Sequence, residues 1–130
     1  MEKQIRDIRE FQEKIAEKVE GHLFSNEPIG GLDEAIHLRN RLMLEEMKEL
    51  QEGLEEMDEV EIIDAGIDIL YITLGTMHEA GVLDKFEKAW DLVHANNMTK
   101  LGPDGKVLKR EDGKVIKPSN YKPVNLAQLF

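Results

Sequence analysis

Residues 60–77 read VEIIDAGIDILYITLGTM. At about 100° per residue, Ile63, Ile67, Leu70, Leu74 and Met77 fall in one stripe. Ile62, Ile69, Tyr71 and Ile72 spread over the other faces. A helix that is apolar nearly all round is expected to be buried. Yet Glu61, Asp64 and Asp68 stand at i, i+3 and i+7 within one narrow sector. Gly75 continues that sector and leaves room for a ligand or another backbone. Asp58, three residues before Glu61, supplies a capping-box start for this helix.

The acids need an answer from elsewhere, because an unpaired carboxylate in an apolar setting is costly. The preceding helix offers more acid. Asp33 is a candidate N-cap for a helix running to about Glu55. Leu32, Ile36, Met43, Met47, Leu50 and Leu54 form its apolar stripe. Within it, residues 42–50 read LMLEEMKEL. Glu46 and Glu49 flank the apolar stripe, and Glu45 lies nearer solvent. Two antiparallel helices joined at 56–58 bring Glu46 and Glu49 opposite Glu61, Asp64 and Asp68. Such an oxygen-rich cage suits Mg²⁺, with Mn²⁺ as the alternative. Taken alone, Glu45, Glu46 and Glu49 also read as a solvated helix face; the acids of the apolar helix carry the metal reading.

Two further helices flank this pair. Ile5, Ile8, Phe11, Ile15 and Val19 predict a first helix ending near Gly21, followed by a loop over 25–31. Leu83, Phe86, Trp90 and Val93 predict a fourth to about Ala95, with Phe86, Trp90 and the methionines as core. Then the character changes. The tail reads LGPDGKVLKREDGKVIKP, with DGKV at 104–107 and again at 112–115, which suits a small hairpin between two turns.

Charge follows the same division. The net charge is −10, but residues 96–130 carry +4 and residues 1–95 carry −14. The basic tail either lies on the acidic body or meets phosphate. Aromatic residues make up 5% of the chain, which argues against nucleic-acid binding by base stacking. No apolar run reaches the roughly 18 residues of a membrane span. The start, MEKQIRDIRE, has no apolar signal core, and there is no cysteine; a cytoplasmic protein is expected. Of the histidines, only Glu34-Ala-Ile-His37 makes an E-x-x-H step, where a di-iron bundle needs two, and His37 falls on the solvent face. No nucleophile elbow or phosphate loop is present.

Glu45-Glu46-x-x-Glu49 on one helix, with acids and Asp68-Ile-Leu-Tyr71 on the next, resembles the all-α nucleotide pyrophosphohydrolases. That superfamily includes MazG, dimeric dUTPase and phosphoribosyl-ATP pyrophosphohydrolase. Ala95-Asn-Asn-Met-Thr-Lys100 and the Gly-Lys tail make the chain similar to the phosphoribosyl-ATP pyrophosphohydrolase-like branch, over roughly residues 35–120. The resemblance implies an all-α, four-helix core of the MazG-like type with a short hairpin-like tail. It would form a single domain over 1–130, with a helical body 1–96 and a basic tail 97–130. It implies an obligate homo-oligomer, dimer or tetramer, and Mg²⁺-dependent hydrolysis of a nucleoside triphosphate to monophosphate and pyrophosphate. Glu46 and Glu49 then take the metal-ligand positions. The family's next helix carries an E-x-x-D pair, but three residues before Asp68 stands Ala65. Either Glu61-x-x-Asp64 is that pair displaced by one turn, or Asp64 and Asp68 replace it. The order of preference as ligands is Asp68, Asp64, Glu61. Glu45 or Glu49 would position the attacking water. Asn97 and Lys100 would contact sugar or phosphate, with Lys114 and Lys117 as further phosphate contacts. The departure at Ala65 leaves a second reading, a nucleotide- or metal-binding protein without catalysis. A helical interaction module is the third.

Overall fold

The structure is a computed structural model that describes residues 1–24 and 32–130, with the backbone alone for Leu32. The loop expected over 25–31 and the side chain of Leu32 lie outside the described residues. The chain is all-α: the described residues form four α-helices and one two-stranded hairpin. It divides into two compact units, Met1–Asp84 and Lys85–Phe130. Among the described residues no helix is long and apolar enough to cross a membrane.

The first unit holds α1 (Glu2–Lys14), a 3₁₀ turn at His22–Phe24, α2 (Leu32–Glu55) and α3 (Glu59–Glu79). α2 begins at Leu32, so Asp33 sits inside its first turn and is not its cap. There its negative charge still opposes the positive end of the helix dipole. α3 begins as its sequence predicts. The Asp58 carboxylate accepts from the N–H groups of Val60 and Glu61, both at 3.1 Å, satisfying two of the donors a helix start leaves open. α2 and α3 turn back on each other through Met57, whose positive φ of 55° closes the end of α2. The Asp58 N–H then reaches the Gly53 carbonyl at 2.9 Å.

α1 stops earlier than its periodicity suggests. It ends at Lys14, and Glu17 takes a left-handed φ of 55°. The 3:4 pattern of Ile15 and Val19 therefore has no helix to sit on, and both are exposed. What ends the helix is tertiary. The chain must bring Gly21 against Gly81 beyond the end of α3, where a Cβ on Gly81 would stand 3.1 Å from the Gly21 Cα. Both glycines have positive φ, and the Gly21 N–H donates to the His78 carbonyl at 2.9 Å. Ile5 and Ile8 of α1 and Leu74 of α3 are buried with Leu23, Ala65 and Leu83. Phe11 meets Tyr71 edge to face at 5.5 Å.

α3 itself is not buried all round. Val60 is 77% and Ile63 64% exposed, and Ile67, Leu70 and Tyr71 are exposed too. α1 and α2 pack on part of the helix, leaving Val60 and Ile63 largely open and Ile67, Leu70 and Tyr71 partly covered. Periodicity tells which face is apolar, but not what covers it. Met47 and Met57 are likewise exposed rather than core.

The second unit holds α4 (Phe86–Met98), β1 (Leu108–Lys109), β2 (Val115–Ile116) and a final 3₁₀ turn at Leu126–Leu129. Trp90, expected in the core, is 58% exposed beside Phe86, their ring centroids 6.0 Å apart. The predicted hairpin forms, with Leu108 opposite Ile116 and Lys109 opposite Val115. The two DGK turns are built alike. In each, the Asp carboxylate accepts from the Lys N–H (Asp104 from Lys106 at 3.0 Å, Asp112 from Lys114 at 3.1 Å), and the Gly takes positive φ.

Candidate active site

The face between α2 and α3 is organised by register. Arg39, Glu46 and Gly53 lie seven residues apart on α2, and Glu61, Asp68 and Gly75 lie seven apart on α3. Seven residues are close to two helical turns, so each set stays on one face and climbs about 10.5 Å per step. The antiparallel pairing makes three rungs. At the first, the Glu61 side chain lies over Gly53, 3.1 Å from where a Cβ would stand. At the last, the Arg39 guanidinium lies 3.3 Å from the Cβ position of Gly75. At each end a glycine makes room for a charged side chain. The middle rung has no glycine and faces Glu46 with Asp68.

Here Glu49 joins them. One carboxylate oxygen each from Glu46, Glu49 and Asp68 comes together, all within 4.8 Å of one another. Asp68 and Glu46 are half-buried and Glu49 is exposed. Among the described residues no base pairs with them. Burial first, then a side-chain hydrogen bond with Glu49 and the charges of Glu49, Asp68 and Asp64, push the Glu46 carboxyl up to about 7. Its Oε2 is buried and has no hydrogen-bond partner. Burial also raises the Glu61 carboxyl, followed by the charges of Glu49, Asp64, Asp58 and Glu52. The charges that raise these two groups come from carboxylates. Like charges held this close, with an orphaned buried oxygen among them, form a donor set complementary to a hard divalent cation.

A family model described as phosphoribosyl-ATP pyrophosphohydrolase matches residues 8–97. The chain belongs to the phosphoribosyl-ATP pyrophosphohydrolase family. It is a nucleotide pyrophosphohydrolase, a hydrolase of phosphoric anhydride bonds. No curated protein matches the sequence. Enzymes of this family use a divalent metal, and the acid group of α2 and α3 has the oxygen donors for one.

Asp64 and Glu61 lie outside the group of three, though Asp64 acts on both Glu46 and Glu61 through its charge. Glu45 is exposed on α2. Asn97, Lys100, Lys114 and Lys117 belong to the second unit. There Lys100 and Lys117 place their ammonium groups 6.0 and 5.1 Å from the centre of the Tyr121 ring. Asn96, not Asn97, makes the side-chain bond, donating from Nδ2 to the Tyr121 hydroxyl at 2.7 Å. Gly75 does not open to a ligand: the Gln12 side chain and Arg39 fill the space it leaves.

A second charged group lies on the same helix pair. Glu79, 4% exposed, meets Arg39 Nη1 at 2.6 Å and His22 Nε2 at 2.9 Å. The Gln12 side chain lies beside them and donates toward the Gly75 carbonyl at 3.5 Å. His78 is wholly buried next to Glu79 in the chain. The signal was available: Arg39 stands seven residues before Glu46, on the same face.

Proposed function

We propose that this pyrophosphohydrolase holds Mg²⁺ on Glu46, Glu49 and Asp68 and cleaves a nucleoside triphosphate, or a related nucleotide, to monophosphate and pyrophosphate. The observation that carries the reading is the middle rung: among the described residues, three carboxylates converge without a base, and a buried Glu46 oxygen has no hydrogen-bond partner. Asp64 and Glu61 stand next in line as ligands, one turn and two turns along α3. Bound there, a divalent cation would supply positive charge against the phosphate oxygens of the scissile anhydride. Glu46 and Asp68 face each other across the helix pair and fix the spacing of the donor oxygens. Glu49, at the exposed edge, could use its second carboxylate oxygen to orient a water and take its proton; Glu45 is the other candidate for that role. Lys100, Lys117, Lys114 and Asn97 are the candidate substrate contacts.

Self-association belongs to the same reading. The exposed stripe of α3 is an apolar surface of the kind that pairing of two copies would bury, and dimer or tetramer is the state inferred for the enzyme.

The test is pyrophosphate release with Mg²⁺ across canonical, deoxy and damaged nucleoside triphosphates and phosphoribosyl-ATP, with Asp68→Ala in parallel. Release by the native protein and its loss in the variant is the expected outcome. Equal turnover in Asp68→Ala would move the metal elsewhere. Sedimentation of the same preparation should show an assembly larger than a monomer.

A further inference from the structure

Asp104 and Asp112 are the only aspartates of the chain that precede a glycine. Both Asp-Gly steps are exposed and lie in turns of the same build. Such a step has a reaction of its own. The backbone nitrogen of the glycine attacks the aspartate Cγ and closes a succinimide ring, since no glycine Cβ hinders the approach. The N–Cγ bond forms and the Cγ–OH bond breaks. The glycine N–H proton and that hydroxyl leave as water. A second water then opens the ring. Attack at Cγ restores aspartate. Attack at the backbone carbonyl carbon leaves isoaspartate, whose main chain runs through the side-chain methylene. No oxidant or cofactor is consumed, and the final mass is unchanged. Ring closure needs the protonated carboxyl, because an ionised one is a poor electrophile and has no hydroxyl to release.

The two turns share what brings the groups together. The Lys106 N–H donates to Asp104 Oδ1 at 3.0 Å, and the Lys114 N–H to Asp112 Oδ1 at 3.1 Å. A bond from a side chain to the N–H two residues on closes a ring around the glycine peptide, so each carboxyl is kept beside the glycine nitrogen. The bond also draws charge onto Oδ1, as a carbonyl under attack requires. The turns share a restraint too. Each glycine N–H donates to the carbonyl three residues back, Gly105 to Gly102 and Gly113 to Arg110, both at 2.9 Å. What separates them is the second carboxylate oxygen. At Asp112, Arg110 Nη2 donates to Oδ2 at 2.7 Å and Nε to Oδ1 at 3.3 Å. The Arg110 bond first, then the Lys114 N–H, holds that carboxyl below the usual carboxylate range. It stays ionised, and Oδ2 is kept from leaving. Among the described residues no cation holds Asp104, whose Oδ1 alone is bonded.

We propose that Asp104-Gly105 is a site of spontaneous isoaspartate formation, and that Arg110 shields the otherwise matching step at Asp112. The turn at stake is closed by the Gly102 N–H, which donates to the Lys106 carbonyl at 2.8 Å. It lines a cavity of about 360 Å³ that Lys100 also borders. An added backbone methylene breaks that closure and reshapes the cavity wall, so aged protein differs from fresh protein at this turn. The same four letters, DGKV, thus meet two fates because of one arginine.

The full chain is aged in ¹⁸O-labelled water at pH 5 and at pH 8, with a parallel sample in urea. Peptide mapping by electron-transfer mass spectrometry tells isoaspartate from aspartate, and the label marks every ring that has opened. In the folded chain isoaspartate should collect at residue 104 severalfold faster than at 112, and faster at pH 5 than at pH 8. Arg110→Ala should bring the rate at 112 up to that at 104. Urea should do the same in the native sequence, since both steps then lose their turns. No isoaspartate at 104, or as much at 112 in the folded native chain, overturns the site. An unchanged rate at 112 in Arg110→Ala, or a contrast that persists in urea, overturns the shielding by Arg110. Neither metal nor nucleotide enters the readout, so the outcome stands apart from the pyrophosphohydrolase reading.

Discussion

Two carboxylate groups sit on the same pair of helices and are treated in opposite ways. Glu79, near the end of α3, is almost fully buried and is met by Arg39 and His22. Glu46, two turns along α2 from Arg39, is met by Glu49 and Asp68. A buried acid must be neutralised by something. At Glu79 the chain supplies the base itself. At Glu46 it supplies more acid, and the carboxyl keeps a proton up to about pH 7 in place of a counter-charge. The first arrangement finds its counter-charge within the fold. On the reading proposed above, the second would take its counter-charge from a cation outside the chain.

Giving the acid group its own base should erase the difference. Glu49→Lys places an ammonium where the cation would lie. Pyrophosphate release is expected to fall by about 100-fold or more, since even residues behind metal ligands cost 10–100-fold. Mg²⁺ should no longer raise the melting temperature. In chelator the variant should melt above the native protein. Parallel activity assays and thermal melts read all three, and native-level turnover would sink the contrast.

Taking the base from the other group should cost stability instead. Arg39→Ala leaves Glu79 with His22 alone and is expected to lose about 3 kcal/mol in urea denaturation, the scale for breaking a buried ion pair. Mg²⁺ should still stabilise the folded fraction. A variant as stable as the native protein would mean that the pair is less buried than its geometry implies.

The smallest expected effect is a pH trend in metal-free protein. The Glu46 carboxyl is raised from 4.5 to about 7 on folding, so the folded chain holds a proton that the unfolded chain has released. The stability this contributes is fully present below about pH 4.5 and is lost as pH rises through 7. In chelator the melting temperature should therefore be higher at pH 5.5 than at pH 8, and Glu46→Gln should flatten the slope. A native slope of the opposite sign would place the proton elsewhere.

Much of this was legible in the sequence, where the signal is local. Asp58 before the apolar run marked the start of α3, and the paired Asp-Gly-Lys turns marked the hairpin. Asp68 stood out because acids on the apolar α3 are expensive, and Glu46 and Glu49 because Glu45-Glu46-x-x-Glu49 resembles the family's motif; the structure brings these three carboxylates together. The readings that failed depended on distant contacts. The end of α1 is set where Gly21 passes Gly81, sixty residues away in the chain. The stripe of α3 and Trp90 are apolar in pattern, and nothing in a pattern says whether a neighbour arrives to cover them. Arg39 and Glu79 each look like an ordinary surface charge until the register of α2 against α3 is known.

That register has a consequence for how the gene can change. The rungs Gly53–Glu61, Glu46–Asp68 and Arg39–Gly75 share one phase, and the two helices are read like facing combs. Inserting one residue between Arg39 and Glu46 would swing one comb by about 100° against the other, parting the buried ion pair from the acid group. A loss or gain of single residues within the helical stretches 39–53 and 61–75 therefore breaks the match, while point substitutions between the teeth remain open. Lineages descending from this chain should vary freely in letters here and hardly at all in length.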